Sequence, residues 1–269
     1  LMSLVMLVLS VSPILAPLTG SALIVPFGWR AVFVAVTLVA IAGLVLVAAF
    51  LPETRPREER IDVSVGNALA GFAALLRHGR FMGLTFIGGF GMSSFFAFLA
   101  SSSFVYIDHF GLTTTEYSVA FSVNAVGFIG ASQFAAMLGT RFGMGRVVMT
   151  AVTLYMAFAF ALMGLMAAGV ESLPVLIGFL FASFACLGLV IPATMVLALE
   201  EHGPIAGMAS ALGGTLQMLT GGAMIGVVSY FFDSTPLPMV AAIALCAVAA
   251  FALSLVTLRH GEAVPQAAE

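Results

Sequence analysis

The chain has 269 residues, 62% of them hydrophobic and 8% charged, with a mean hydropathy of +1.18 and a formal net charge of −3. Soluble domains average about 45–50% apolar and about 25% charged residues, so water is not the solvent of this chain. The small net charge and the scattered arginines exclude a nucleic-acid partner, and no phosphate-binding glycine loop or metal-ligand spacing calls for a cofactor.

A bilayer core of about 30 Å is crossed by about 20 helical residues. Apolar runs at 1–25, 30–51, 81–107, 117–139, 147–168, 173–199, 204–231 and 237–258 meet that length, which predicts an all-α membrane bundle of eight spans in a lipid bilayer. Charged side chains fall between the runs or in the tail. An ionised residue at the centre of a membrane helix costs roughly 2.5–3.5 kcal/mol, and those kept there usually serve ion or proton work. These spans hold none, so an energy-coupling carboxylate is expected outside the segment. Leu1 stands inside an apolar run without an initiating Met or a basic lead, and reads as a cut start rather than a signal peptide.

The first run contains Ser10-Val11-Ser12-Pro13-Ile14-Leu15-Ala16-Pro17-Leu18-Thr19-Gly20. Pro13 and Pro17 leave backbone carbonyls without donors, which predicts a bent helix. The next turn reads Phe27-Gly28-Trp29-Arg30-Ala31-Val32-Phe33, and the second run closes on Pro52-Glu53-Thr54. The polar interruption that follows divides the chain into 1–53, a linker at 54–80, six spans over 81–260 and a tail at 261–269. Within the linker Ile61, Val65, Leu69, Phe72 and Leu76 recur at steps of three and four. That spacing predicts a short amphipathic helix, lying on the membrane face or packed on loops as a connector.

The six later spans divide as three and three about Glu171-Ser172-Leu173-Pro174, the kind of nested repeat from which transporters are built. Phe90, Ser94, Ala97 and Ser101 form one stripe, and Asn124 shares a face with Phe121 and Phe128. Ser183, Cys186, Val190 and Thr194 form another, as do Ser210, Gly214, Gln217 and Gly221. Asn124 serves either an interhelical bond or a substrate, and the last stripe either a packing seam or a site at Gln217. Taken together these faces predict a cavity lined by Phe90, Ser94, Ser101, Asn124, Phe128, Ser183, Thr194 and Gln217. Its apolar, aromatic and neutral character suits an amphiphilic small molecule. Cys186 and Cys246 read as small apolar residues. Glu200, Glu201, His202, Asp108, His109 and Glu116 read as loop charges. His78, His109, His202 and His260 all lie near loops or the tail, which argues against an intramembrane enzyme.

Arg55, Arg57, Arg60, Arg77, Arg80, Arg141, Arg146 and Arg259 fall on one side if the spans alternate, and Arg30 on the other. Basic loops stay cytoplasmic, so both chain ends are expected inside.

The proline-bearing segment resembles the antiporter motif of drug/proton antiporters of the major facilitator superfamily, and more narrowly the bicyclomycin and chloramphenicol resistance (Bcr/CflA) branch. Ser103-Phe104-Val105, Phe110-Gly111-Leu112, Phe121-Ser122-Val123-Asn124-Ala125 and Gly207-Met208-Ala209-Ser210-Ala211-Leu212 are also similar to that branch. The resemblance implies helices five to twelve of a twelve-helix exporter, with Pro13, Pro17 and Gly20 as a kink that blocks proton leak. It further implies protons and a drug-like molecule as partners, missing N-terminal helices that carry the coupling acid, and a bacterial inner membrane location. The loop Leu138-Gly139-Thr140-Arg141-Phe142-Gly143-Met144-Gly145-Arg146 is similar to the superfamily's second cytoplasmic motif but lacks its acidic residue. Export of a polar metabolite, or a non-transporting remnant or scaffold, remain the alternatives.

Overall fold

The computed structural model describes residues 19–20, 23–24, 26–50, 65–231, 233 and 235–259. No strand occurs among the described residues, and seven of their helices are long and apolar enough to cross a membrane. The chain is an all-α membrane protein. Pro13 and Pro17 lie outside the described residues, while Gly20 belongs to a short helical stretch.

Two compact units divide at Val65 and Gly66. In the first, α1 (Arg30–Phe50) is apolar on every side. Its entry turns on Gly28, whose φ of 76° is left-handed and open to glycine without a Cβ clash. The Arg30 guanidinium stands 4.5 Å from the centroid of the Trp29 ring, and Trp29 meets Phe33 edge-on at 5.8 Å. An indole with a cation on its face suits the boundary between lipid and water.

The second unit contains α2 (Val65–Arg77) from Gly66 onward, and α3 (Gly79–Ser103), which continues into a π-helical turn at Phe104–His109. It continues with α4 (Thr114–Phe142), α5 (Met144–Ala167), α6 (Leu173–Glu200), a 3-10 turn at Gly203–Ile205, α7 (Ala206–Tyr230) and α8 (Pro236–Arg259). Local chemistry sets these boundaries. The His78 ring Nδ1 accepts the Phe81 N–H at 3.2 Å, so α3 starts two residues before its apolar run. Thr113 and Glu116 form a reciprocal capping box at the head of α4, with the Thr113 N–H donating to the Glu116 carboxylate at 2.8 Å. Gly143, with φ 87°, ends α4 and opens α5 in a single residue.

Lead helix α3 packs against α6, α7 and α8, whereas α6 packs against α3, α4 and α5, and α5 meets α8. With α3–α5 and α6–α8 taken as triplets, each lead helix touches the other lead helix and both followers of the opposite triplet.

Lipid is as apolar as leucine, so close packing, not dehydration, must hold such helices together. Small residues stand at the crossings. A Cβ on Gly188 of α6 would collide with the Phe128 carbonyl oxygen of α4. One on Gly221 of α7 would meet the Phe96 ring, and one on Gly83 would meet Thr257 of α8. On α7 the buried stripe runs Ala209, Gly213, Gln217, Gly221, an unbroken four-residue step facing α3. Ser210, expected on that face, lies one residue off the ridge and is exposed.

Within α2 the linker stripe divides. Of its residues Leu69 and Leu76 are exposed and Phe72 is half-buried, while the buried residue is Leu75, one position off the stripe, among Phe81, Leu84 and Ala209. One face is therefore packed on the bundle and another left for a lipid or solvent boundary.

Candidate functional site

Among the described residues the buried polar side chains are neutral: Thr85, Ser93, Ser94, Ser101, Ser102, Asn124, Ser183, Thr194, Gln217, Ser254 and Thr257. Three places in the second unit gather polar groups, and another gathers aromatic rings.

The first lies where α3, α6 and α7 meet. Gly88 of α3 has no side chain, and the space a Cβ would fill is 2.7 Å from Gln217 Nε2 and 2.9 Å from Thr194 Oγ1. An amide from α7 and a hydroxyl from α6 thus converge on the backbone of α3. The Thr194 hydroxyl donates to the Ile191 carbonyl at 3.0 Å, one turn back along its own helix. Gln217 Nε2 and the nearby hydroxyl of Thr85 are buried without a hydrogen-bond partner. A buried unpaired donor carries a desolvation cost of about 1–3 kcal/mol, so a group that accepts from it is favoured there.

The second place is structural in character. Ser94 shares a hydrogen bond with Tyr155 of α5, whose hydroxyl donates onward to the Ile243 carbonyl of α8 at 3.0 Å, so the Ser94 proton serves either Tyr155 or the Phe90 carbonyl 3.1 Å away. Its hydroxyl is committed to tying three helices, so Ser94 contributes mainly its Cβ to any cavity.

Third is an aromatic cluster. Phe98 of α3 stacks on Phe121 at 5.7 Å and meets Phe184 edge-on at 5.0 Å, while Phe95 approaches Phe128 at 6.1 Å. Phe90 contacts Phe86 at 6.5 Å, away from that cluster's rings.

The fourth surrounds the π turn. Ser102 and Tyr117 share a hydrogen bond at 3.1 Å, and Tyr106 packs on the Tyr117 ring at 6.0 Å. The Asn124 amide donates to the Ala120 carbonyl at 3.3 Å. The side chains of Asn124 and Tyr106 are neighbours, yet neither the Asn124 oxygen nor the tyrosine hydroxyl closes an ordinary hydrogen bond.

Of the residues picked from sequence, Thr194 and Gln217 are brought together, Phe128 joins the aromatic cluster, and Asn124 stands at the π turn. Ser101 and Ser183 are buried on α3 and α6, the Ser183 hydroxyl without a partner. Thr85, Gly88, Tyr106 and Tyr155 escaped the sequence reading. A glycine two or three residues from a threonine in an apolar run was the available sign for Gly88, and a lone mid-span tyrosine for Tyr155.

The major facilitator superfamily family model matches residues 1–227. The chain belongs to the major facilitator superfamily. Among curated proteins it is 32% identical over 240 residues to the uncharacterized MFS-type transporter YdgK of Bacillus subtilis, covering 88% of this chain and 59% of that protein. It is 29% identical over 252 residues to the bicyclomycin resistance protein homolog of Haemophilus influenzae, covering 92% of this chain and 62% of that protein. This superfamily chain therefore spans about three-fifths of the length of the relatives it matches. Membership in this superfamily and seven apolar spans among the described residues make it an integral membrane protein.

Proposed function

We propose that this chain forms part of a bacterial inner-membrane exporter that moves drug-like amphiphilic molecules in exchange for protons, with both chain ends cytoplasmic. The observation that carries the reading is Gln217, an amide buried at the α3–α6–α7 junction with its Nε2 lacking an acceptor among the described residues. A substrate carbonyl or ether would satisfy it, while Phe95, Phe98, Phe121, Phe128 and Phe184 supply apolar surface. The likeness to a bicyclomycin resistance protein homolog points the same way. Phe90, Ser94, Ser101, Asn124, Ser183 and Thr194 complete the proposed lining, with Pro13, Pro17 and Gly20 as the sealing kink.

Among the described residues no Asp, Glu, Lys or Arg is buried at span depth. We infer that the proton-binding acid is supplied by polypeptide outside residues 1–269. Alternating access would then follow from protonation there shifting the balance between two states for which the substrate has different affinities.

The test is a binding and flux assay in liposomes containing residues 1–269. Bicyclomycin and an amphiphilic fluorescent dye should bind, should not be displaced by sugars or amino acids, and should bind at least about tenfold more weakly when Gln217→Leu removes an acceptor bond in an apolar site. No proton-driven efflux is expected from these residues alone. Displacement by a polar metabolite would transfer the reading to metabolite export, and efflux by the isolated segment would overturn the placement of the acid.

A further inference from the structure

The two lead helices run antiparallel, and each end of the pair carries a histidine–glutamate contact. At one end Nε2 of His78, the N-cap of α3, stands 3.9 Å from Glu201, the residue just past α6. At the other, Nε2 of His109, the last residue of the π turn, stands 3.2 Å from Glu171, two residues before α6 begins. Helix α3 with its π turn forms one span of 31 residues, so the contacts lie on opposite faces of the membrane.

Their surroundings are opposite in kind. Around His78 stand Arg77, Arg80, Glu200, Glu201 and His202, with Arg141 and Arg146 in the α4–α5 turn and Arg259 at the end of α8 on the same face. The Arg80 guanidinium already pairs with Glu201. The His202 ring meets His78 edge-on at 4.8 Å, and its Nδ1 donates to the Ala198 carbonyl at 3.0 Å. Because His78 Nδ1 accepts the Phe81 N–H, a proton placed on it would remove the cap of α3. A second charge there wins little, since arginine holds Glu201 at any ordinary pH.

Around His109 the charged residues of the second unit on that face are Asp108, Glu116, Glu171 and Asp233, all acidic, with Tyr106, Tyr117 and Tyr230 as phenols. Glu116 is engaged by Thr113, and Asp233 accepts from Thr235. No cation in that set competes for Glu171. The tethered segment is the π turn, a wider and less regular helix with its bonds spread over different spacings, Phe110 N–H to Val105 at 3.1 Å and Gly111 N–H to Ile107 at 3.1 Å. Inside it the Tyr106 hydroxyl is unpaired beside the unpaired Asn124 oxygen. The segment therefore has a hydrogen bond still to gain by a small shift.

We propose that His109 and Glu171 form a pH-operated latch between the π turn of α3 and the start of α6, while Arg80–Glu201 holds the opposite end of the same helix pair at every pH. The latch is closed when the imidazole carries its proton and is released when the proton is lost. Release frees the π turn to shift so that Tyr106 can donate to Asn124. This device rests on packing within the second unit and stands whatever the substrate is.

Hydrogen–deuterium exchange tests it on the full chain in nanodiscs, comparing amides of residues 104–112 in wild type and Glu171→Gln. The substitution lies outside the peptide, so intrinsic exchange at each pH is identical in the two proteins. An exposed ion pair biases an equilibrium by about two- to fivefold. Wild type should therefore exchange that much more slowly than Glu171→Gln at about pH 5.5, the range where imidazole is charged, and equally fast at about pH 8. His109→Arg should exchange more slowly than His109→Arg/Glu171→Gln at both pH values, and Glu201→Gln should loosen residues 78–84 equally at both. A Glu171→Gln effect of the same size at both pH values, or none at either, would overturn the latch. So would equal exchange of residues 104–112 in His109→Arg and His109→Arg/Glu171→Gln.

Discussion

Helices α3 and α6 occupy equivalent places in the packing, each touching the other and both followers of the opposite triplet, yet they fill those places with different chemistry. Helix α3 presents Gly83, Gly88, Gly89 and Gly91 together with buried Ser93, Ser94, Ser101 and Ser102. Helix α6 buries the bulky Leu176, Leu180, Phe184, Leu187, Val190 and Leu197 beside the smaller Ser183, Cys186, Gly188, Ala193, Thr194 and Ala198. The lesson is that one position in a membrane bundle can be met by drawing backbones together or by filling the gap with bulk. Only the first choice leaves backbone near enough for neighbouring polar side chains to lie against it, and so the polar groups of the unit collect around α3. Gln217 and Thr194 reach Gly88 for that reason.

The largest break in this comparison should come from Gly188→Ala. A methyl there strikes the Phe128 carbonyl, part of a neighbouring helix backbone that cannot rotate away. Overpacking of a core costs about 1–3 kcal/mol where side chains can yield, so a loss at or above the top of that range is expected. Gly91→Ala on α3 is the control. Its methyl would stand 3.1 Å from Ile191 Cγ1 and 3.2 Å from Leu187 Cδ2, contacts that rotamer shifts can relieve, and the loss should stay below about 1 kcal/mol. Chemical unfolding followed by circular dichroism in mixed micelles separates the two. Equal losses would mean that the α4–α6 crossing is no closer than the α3–α6 contact.

A smaller effect is expected from Tyr155→Phe. The hydroxyl links Ser94 of α3 to the Ile243 carbonyl of α8, and its removal deletes two interhelical hydrogen bonds from the glycine-serine side of the comparison. Such bonds average about 0.6 kcal/mol each in a bilayer protein, which predicts a loss of about 1–1.5 kcal/mol. Ser94→Ala should cost less. In the double variant the losses should fall short of the sum, because both substitutions remove the same Ser94–Tyr155 bond.

Much of this fold was legible in the chain. Apolar runs long enough for a bilayer announced the helices, since in lipid every backbone group must be paired within a helix or a closed barrel. The end signals were also readable: Thr113 three residues before Glu116, Gly143 between two runs, and Pro174 at the head of α6. Which side of each helix faces inward was much less legible. A span solvated by lipid is apolar all round, so hydrophobic periodicity does not mark the buried face as it does in water. The shift from Ser210 to Gly213 on α7 follows from this, and so does the commitment of Ser94 to Tyr155. The π turn at Phe104–His109 left no sequence mark either, because its register depends on what α4 and α6 place beside it.

The smallest change in stability belongs to Gln217→Leu, and it decides between the two readings of the α7 stripe. If Gln217 lies in a packing seam, its amide must be bonded to a neighbouring helix, and losing it should cost about 1–2 kcal/mol, as interhelical side-chain bonds in model membrane peptides do. Its Nε2 has no such partner, although Gly88 brings it against α3. Replacing an unsatisfied buried donor with an apolar group of similar size removes a desolvation cost without removing a bond, so the variant should be neutral or more stable by up to about 1 kcal/mol. The same variant should lose amphiphile affinity. A destabilised protein with unchanged binding would return Gln217 to the seam, whereas unchanged stability with weakened binding would separate the α3 side, where close approach leaves a donor unspent, from the bulk-filled α6 side.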